Sequence, residues 1–507
     1  MSSSGSKTSR ALLSAFGLLL AACSGLDDAE PPIRIDVVDA GAAERLEAAA
    51  LALGLTRRDP AGLIVPGIAQ SWRVSENGLS IVFRLRAASF ASGEPVTAAD
   101  VVATIDAARR QRAGPLSGLL EGIARIEAPL EDVVELSLST PQPELLELLA
   151  DPALGIRPRG RGTLAAAGLG AFRPAPGSDS GSRRPDAPTR LVRNPGHVGG
   201  PAAAAEIEIA VHPPEEAVPR FVRRLVDVVT GGQVVGFPAV RVTAPREALR
   251  LEPSRAVTLL LLRHDRPPLD DLAVRSALDR SVDRAALARL IFGTEAAAPV
   301  AAIVPRSLPA FALAPEPDWA ARPLEERRAD AVRLLATAGI GPENERRQRL
   351  IVGIGTAAEE RRLVERMAAD WAPLGIDVAA SVLAADALQR AFQRGDIHMM
   401  LVTRGTRHES PLPFLLPLRC EANRAGVCVP EADRLVADSW RAPTLAERMR
   451  AIAAAERLWS EDVAVIALFQ PLAWSLVQPD IEGFETNPAG ARSLQRLGRS
   501  GDRRLFR

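Results

Sequence analysis

The chain has 507 residues, is 47% apolar, and carries 62 basic and 62 acidic side chains for a formal net charge of +0. At about 100–200 residues per domain this supports two large lobes or about three domain-sized units with ample core material, which excludes disorder for most of the chain. So neutral a chain lacks the basic surface that phosphate neutralisation requires, and no nucleic-acid partner is expected.

At the N-terminus, Lys7 and Arg10 precede Ala11 to Ala22, an apolar run without a charge. It is too short to span a bilayer comfortably and sits where a secretory signal sits. The run ends in Leu20-Ala21-Ala22-Cys23. Small residues before a cysteine fit the narrow pocket of a lipoprotein signal peptidase, and the thiol accepts the lipid. The segment resembles a bacterial lipobox; an ordinary signal peptide with a chance cysteine is the other reading. The expectation is a signal peptide over 1–22, lipidation at Cys23, an acidic tether over 23–32, and a globular body held at the periplasmic face of a bacterial membrane. No other stretch reaches about 18 uninterrupted apolar residues, so no second span is expected.

Downstream, segments of two periods alternate. Ser80 to Arg86 reads as a half-buried strand, and Asn77-Gly78 before it is a turn signal, so Trp72-Arg73-Val74 and this strand form a predicted hairpin. Thr97 with Asp100 has the spacing of a capping box and opens a helix with Val101, Val102, Ile105 and Ala108 as its apolar stripe. Gly177 to Pro188 is expected to be an exposed loop. Glu206 to Val211 alternates as a strand. Val257 to Leu262, short, apolar and followed by Pro267-Pro268, suits a strand buried on both faces. Asp271 to Leu290 reads as one helix with arginines on its polar side. Ala329 to Ala338 is a helix stopped at Gly339. A strand at Arg349 to Ile354, a helix at Glu359 to Leu374 closed by Gly375, and strands at Ile376 to Val378 and His398 to Val402 form an α/β crossover. Leu445 to Asp462 is a long helix. The fold class is α/β with mixed sheets.

Chemistry is sparse. Lys7 is the sole lysine and tyrosine is absent, so a GxxxxGK[ST] phosphate loop and tyrosine catalysis are excluded. HExxH, GxSxG and CxxC are missing, and His197, His212, His264, His398 and His408 are scattered without metal-ligand spacing. No catalytic residue, cofactor or metal site is expected. Cys420 and Cys428 flank a short loop-like segment. An exported setting favours a disulfide there over two free thiols, worth about 2–3 kcal/mol for so short a loop.

Several stretches, in order from about Leu63 to the C-terminus, resemble the extracellular solute-binding proteins of ABC importers of the oligopeptide, dipeptide and nickel type (family 5). They are Ile64 to Trp72 with Asn77-Gly78 and Phe83 to Arg86; Gly93 to Val101; Arg193-Asn194-Pro195 with Gly199-Gly200, where His197-Val198 stands in place of the usual Tyr; and Pro267 to Asp271 with Val274 to Leu278 and Asp283-Arg284. Leu374 to Val378, Cys428 to Asp433 and Ile481 to Phe484 follow. The resemblance implies a two-lobed, Venus-flytrap-like fold with an extra subdomain in the first lobe. Lobe I would span 33–255 and 469–507, and lobe II 256–468. It implies a non-enzymatic, monomeric lipoprotein that captures a small solute between its lobes and serves ABC permease subunits. An orphan sensor or scaffold of the same fold and, with no activated nucleophile in sight, a lipid-anchored hydrolase are the competing readings.

The chain also departs from that family. Peptide-binding members carry a "W…ADYxxP" stretch whose Asp pairs with the ligand's amino group. Setting Pro411 on that proline puts Arg407 on the Asp, His408 on the Tyr and Arg404 on the aromatic, and Arg263 stands where Asn is usual. Arg404, Arg407, His408 and Arg263 are therefore the candidate ligand-binding residues. A guanidinium repels an ammonium and offers a fork to carboxylate or phosphate, so an anionic solute is expected. Solvated or acid-paired arginines are the alternative.

Overall fold

The computed structural model describes residues 30–500 apart from 112–113, 115, 178–186, 294–296, 309–315, 342–346, 488–489 and 491–492. The expected signal segment, Cys23 and most of the tether lie outside the described residues, as does most of the Gly177 to Pro188 segment. Among the described residues, no helix is long and apolar enough to cross a membrane.

Two sheets define two lobes. The first has seven strands in the order Leu249–Pro253, Leu472–Val477, Val228–Gly232, Ile33–Val37, Glu206–Val211, Thr189–Arg193 and Phe172–Pro174. Its centre is parallel: Ile33–Val37 runs parallel to both neighbours, and Arg34 is its one exposed residue. The strand's sequence alternates apolar and charged residues, and Asp36, buried on the second face, is paired with Arg220 at 2.7 Å. The second sheet has six strands in the order Ala298–Pro299, Val465–Gln470, Ala256–Leu262, Met399–Gly405, Gln348–Ile354 and Ile376–Val382. Ala256–Leu262, buried at all but one position, lies inside it.

The chain passes between the sheets at Pro253 to Ala256 and again at Gln470 to Leu472. The two crossings are tied together. Ser254 donates its hydroxyl to the Pro471 carbonyl at 2.6 Å, and the Gln470 amide donates to the Ser254 carbonyl at 2.7 Å. A pair of adjacent crossings with few bonds between them is the geometry of a hinge.

A four-stranded antiparallel sheet, ordered Ala69–Val74, Ser80–Leu85, Val133–Leu138 and Ile123–Leu130, forms the extra subdomain. Its first two strands are the hairpin, and Gly78 supplies the left-handed residue of the turn at φ 69°. Helix Ala98–Arg109 covers the sheet. The Asp100 carboxylate accepts the Thr97 backbone N–H at 2.9 Å and the Thr97 hydroxyl at 2.7 Å, closing the capping box. The subdomain core does not stop at its own boundary. Phe83, Ile123 and Leu136 belong to one apolar cluster with Leu412, Phe414, Trp440 and Trp459 of lobe II.

The predicted single helix over Asp271 to Leu290 is two helices, Leu272–Ser281 and Arg284–Phe292. Asp283 breaks it, because its carboxylate accepts the Ala286 N–H at 3.0 Å and caps the second helix. Nor are its arginines all on a polar side. Arg275 and Arg284 are buried, the first bonded to Asp462 at 2.9 Å and the second paired with Asp279. Cys420 and Cys428 are joined by a disulfide, with 4.4 Å between their Cα atoms.

Candidate functional site

A cavity of about 1170 Å³ opens between the lobes, walled by both sheets and by the extra subdomain. In lobe II its wall is the strand Met399–Gly405. That strand pairs with Gln348–Ile354 only at its start, Val352 with Met399 and Gly353 with Met400. Beyond Met400, among the described residues, Leu401 to Gly405 have no strand partner on that edge, and Thr403 and Gly405 are exposed to the cavity. An open strand edge offers backbone N–H and C=O groups to any ligand that has a peptide-like backbone. The opposite wall is the end of the central lobe I strands, where Gly231 adopts the left-handed conformation at φ 87°.

Of the four residues expected to bind ligand, the structure brings two to the cavity. Arg407 and His408 both line it, and both meet Asp151 of the extra subdomain. The Arg407 guanidinium lies 3.0 Å and His408 Nε2 3.1 Å from the same carboxylate oxygen. Burial alone would raise the Asp151 carboxyl, but the His408 hydrogen bond and the Arg407 charge outweigh it and bring it down to about 2. The positive charge expected to face a solute is thus answered within the protein. Arg404 and Arg263 do not line the cavity. Arg404 points to the other side of its strand, as alternation from Thr403 and Gly405 requires, and donates to the Phe414 carbonyl at 3.4 Å. Burial lowers its guanidinium to about 10. Arg263 is buried against Asp265 and donates to the carbonyls of Phe392 at 2.6 Å and Gln393 at 3.0 Å.

Residues missed in the sequence complete the wall. Glu147 of the subdomain takes Arg58 at 3.1 Å and Arg255 at 3.7 Å, and accepts the Glu409 backbone N–H at 2.5 Å. Arg255 also reaches Glu409 at 2.7 Å. Arg58 donates to the Arg407 carbonyl at 2.9 Å. Segment 406–409 of lobe II is therefore clasped through charges from both sides. Glu360, at the start of the helix Ala358–Trp371, lines the lobe II wall; burial raises its carboxyl, and the Gly355 N–H donates to it at 2.6 Å. At the lobe I end, Arg57, His197 and Gln495 line the cavity. Of these, only His197 lies in a segment that the sequence singles out, as the substitution for the usual Tyr.

A family model described as the middle part of bacterial extracellular solute-binding proteins, family 5, matches residues 64–426. The chain is 24% identical over 489 residues to a probable di/tripeptide-binding protein 5 of Pseudomonas aeruginosa, covering 86% of this chain and 87% of that one. It is 25% identical over 470 residues to di/tripeptide-binding protein 2 of the same organism, covering 86% of each. Among solved structures it resembles Haemophilus influenzae OppA in complex with the peptide RPPGFSPFR, at a TM-score of 0.78 and 20% identity over 92% of this chain and 98% of the other. The Escherichia coli murein tripeptide binding protein MppA gives the same TM-score, identity and coverage. The sheets, the paired crossings, the inter-lobe cavity and the match over 64–426 agree: the chain belongs to the family 5 bacterial extracellular solute-binding proteins.

Proposed function

We propose that the protein is the lipid-anchored substrate-binding component of an ABC importer, capturing a peptide-like small solute between its lobes and delivering it to the permease. The observation that carries this reading is the cavity of about 1170 Å³ between two sheets, with an open strand edge on the lobe II side. It exceeds the 300–1,000 Å³ or so of a pocket for a drug-sized ligand. A solute bridging both walls favours the closed arrangement by its differential affinity for it. The di/tripeptide names of the relatives support a peptide-like solute, and Leu20 to Cys23 supports the anchor.

One observation favours a second reading, an orphan sensor or scaffold without transport. Arg407 and His408, in the place of the family's amino anchor, are both paired with Asp151 of the protein itself. A thermal-shift screen of the protein lacking residues 1–23 against di-, tri- and longer peptides separates the two. A peptide at 100 times its Kd should add about 2.7 kcal/mol of stability. A folded protein that no peptide shifts, from a strain whose peptide uptake survives deletion of the gene, would sink the transport reading. In the full chain, Cys23→Ser should move the protein out of the membrane fraction.

A further inference from the structure

Most buried arginines in this fold are matched to carboxylates, Arg404 excepted. Arg448 pairs with Glu144, Arg284 with Asp279, Arg275 with Asp462, and Arg255 with Glu409. The lobe I end of the cavity breaks that pattern. Arg57, on the short strand Thr56–Arg58, is half-buried there, and its one side-chain hydrogen bond among the described residues runs to Gln495 Oε1 at 3.4 Å. Arg86, just past the strand Ser80–Leu85, lies behind it. Its guanidinium reaches the carbonyls of Val198 at 3.4 Å and Ala69 at 3.5 Å, and its Nε is buried without an acceptor. Neither arginine has a carboxylate within salt-bridge distance among the described residues.

His197 is the third member. It is 7% exposed, and its Nδ1 lies 2.9 Å from the Leu169 carbonyl, so that nitrogen carries the proton. The groups feel one another. Burial lowers both the Arg57 guanidinium and the His197 imidazole; Arg86 and Arg496 push Arg57 further down, and Arg57 and Arg86 do the same to His197. Asp59 offsets part of this at Arg57, but its carboxylate already accepts the Leu63 N–H at 2.9 Å. The adjacent lining residues Leu53, Phe172 and Leu494 are apolar and buried, so water screens the charges poorly.

We propose that Arg57, backed by Arg86, forms an anion subsite that receives a carboxylate or phosphate group of the captured solute, next to a neutral His197 whose one N–H is taken by the Leu169 carbonyl. The proposal rests on reading the cavity as a capture site and names the charge of one end of its ligand. An Arg fork with unspent donors suits a planar carboxylate or a phosphate oxygen pair. The Gln495 side chain fixes the rim, donating to the carbonyls of Gly199 at 2.7 Å and Gly200 at 3.2 Å while its oxygen holds Arg57.

The test is calorimetric titration of the protein lacking residues 1–23, at fixed ionic strength, with five probes: inorganic phosphate, glutarate, glutaramide as the neutral control, trialanine and trialanine amide. Phosphate, glutarate or both should bind, and the two arms say which anion the site takes. Glutaramide should not bind, and trialanine should bind more tightly than its amide. Arg57→Gln should weaken the anions at least ten-fold, while Arg125→Gln, an exposed arginine paired with Glu127 away from the cavity, should change their affinity less than three-fold. An Arg57→Gln protein with the wild-type unfolding transition and unchanged anion affinity would overturn the subsite. Trialanine binding equally to wild type and Arg57→Gln would overturn the subsite and leave the capture site standing. Failure of every peptide and every anion would overturn both.

Discussion

The extra subdomain meets the rest of the molecule in two places that treat charge in opposite ways. At its seam with lobe II, Arg448 and Glu144 are both buried and joined by two hydrogen bonds of 3.0 and 2.5 Å, with the Arg448 guanidinium 4.8 Å from the Trp440 ring centre. The Ser139 hydroxyl donates to the Trp440 carbonyl at 2.9 Å, and the Thr140 hydroxyl to the Ala442 carbonyl at 2.7 Å. At the lobe I corner, the Arg86 charge opposes Arg57, and among the described residues neither has a carboxylate within salt-bridge distance. Where the fold must hold itself, desolvated charges are matched to carboxylates. Where it leaves them unmatched, their desolvation is an unfavourable term that an incoming anion can relieve.

The largest effect should come from breaking the matched side. Arg448→Ala removes one partner of a buried pair and leaves Glu144 charged in an apolar seam, a loss of about 3–5 kcal/mol. Urea unfolding measures it. The double change Arg448→Met with Glu144→Leu should recover most of that stability, because an apolar pair of similar volume avoids the desolvation of both ions. A single Arg448→Ala change costing less than about 1 kcal/mol would place the seam among ordinary exposed pairs.

Asp151 gives a pH-resolved version of the same contrast. Its folded carboxyl, brought down to about 2, lies below the ordinary 3.8. A depressed carboxyl contributes stability that is fully present above the unfolded value and is lost as pH falls through the folded one. The contribution, about 2 kcal/mol by that linkage, should disappear between about pH 4 and pH 2. Asp151→Asn should lower stability by that amount at pH 7 and flatten this part of the acid limb. Urea midpoints at pH 7 and pH 3 decide it; an unchanged acid limb in the variant would detach Asp151 from Arg407 and His408.

The contrast also explains what could be read from the sequence. The hairpin at Asn77-Gly78, the capping box at Thr97 and Asp100, and the doubly covered strand after Ala256 follow from local periodicity and turn chemistry, and the structure contains each. The family was legible as well, through motifs in chain order. Charge pairing was not. Asp151 lies 256 positions from Arg407, and Glu144 lies 304 from Arg448, so no window of sequence holds both partners. The same blindness placed Arg275 and Arg284 on a polar face. Arg404 was a different kind of miss: strand alternation alone turns it away from a cavity that Thr403 and Gly405 face.

The smallest expected effect is the most discriminating. Arg57→Gln removes a charge that Arg86 and Arg496 oppose and that Asp59 offsets only in part. A glutamine there keeps a polar head that can still meet Gln495. In the solute-free protein this change should therefore move stability by less than about 1 kcal/mol, against the several kcal/mol typical of breaking a matched buried pair. Its sign should be neutral or stabilising. Salt provides the check, since screening weakens repulsion between partly exposed charges. Added sodium chloride should stabilise the wild type more than Arg57→Gln in urea unfolding, because only the wild type has that repulsion to relieve. A loss of about 2 kcal/mol or more in Arg57→Gln, with no difference in salt response, would make the corner a structural ion site like the seam and erase the contrast.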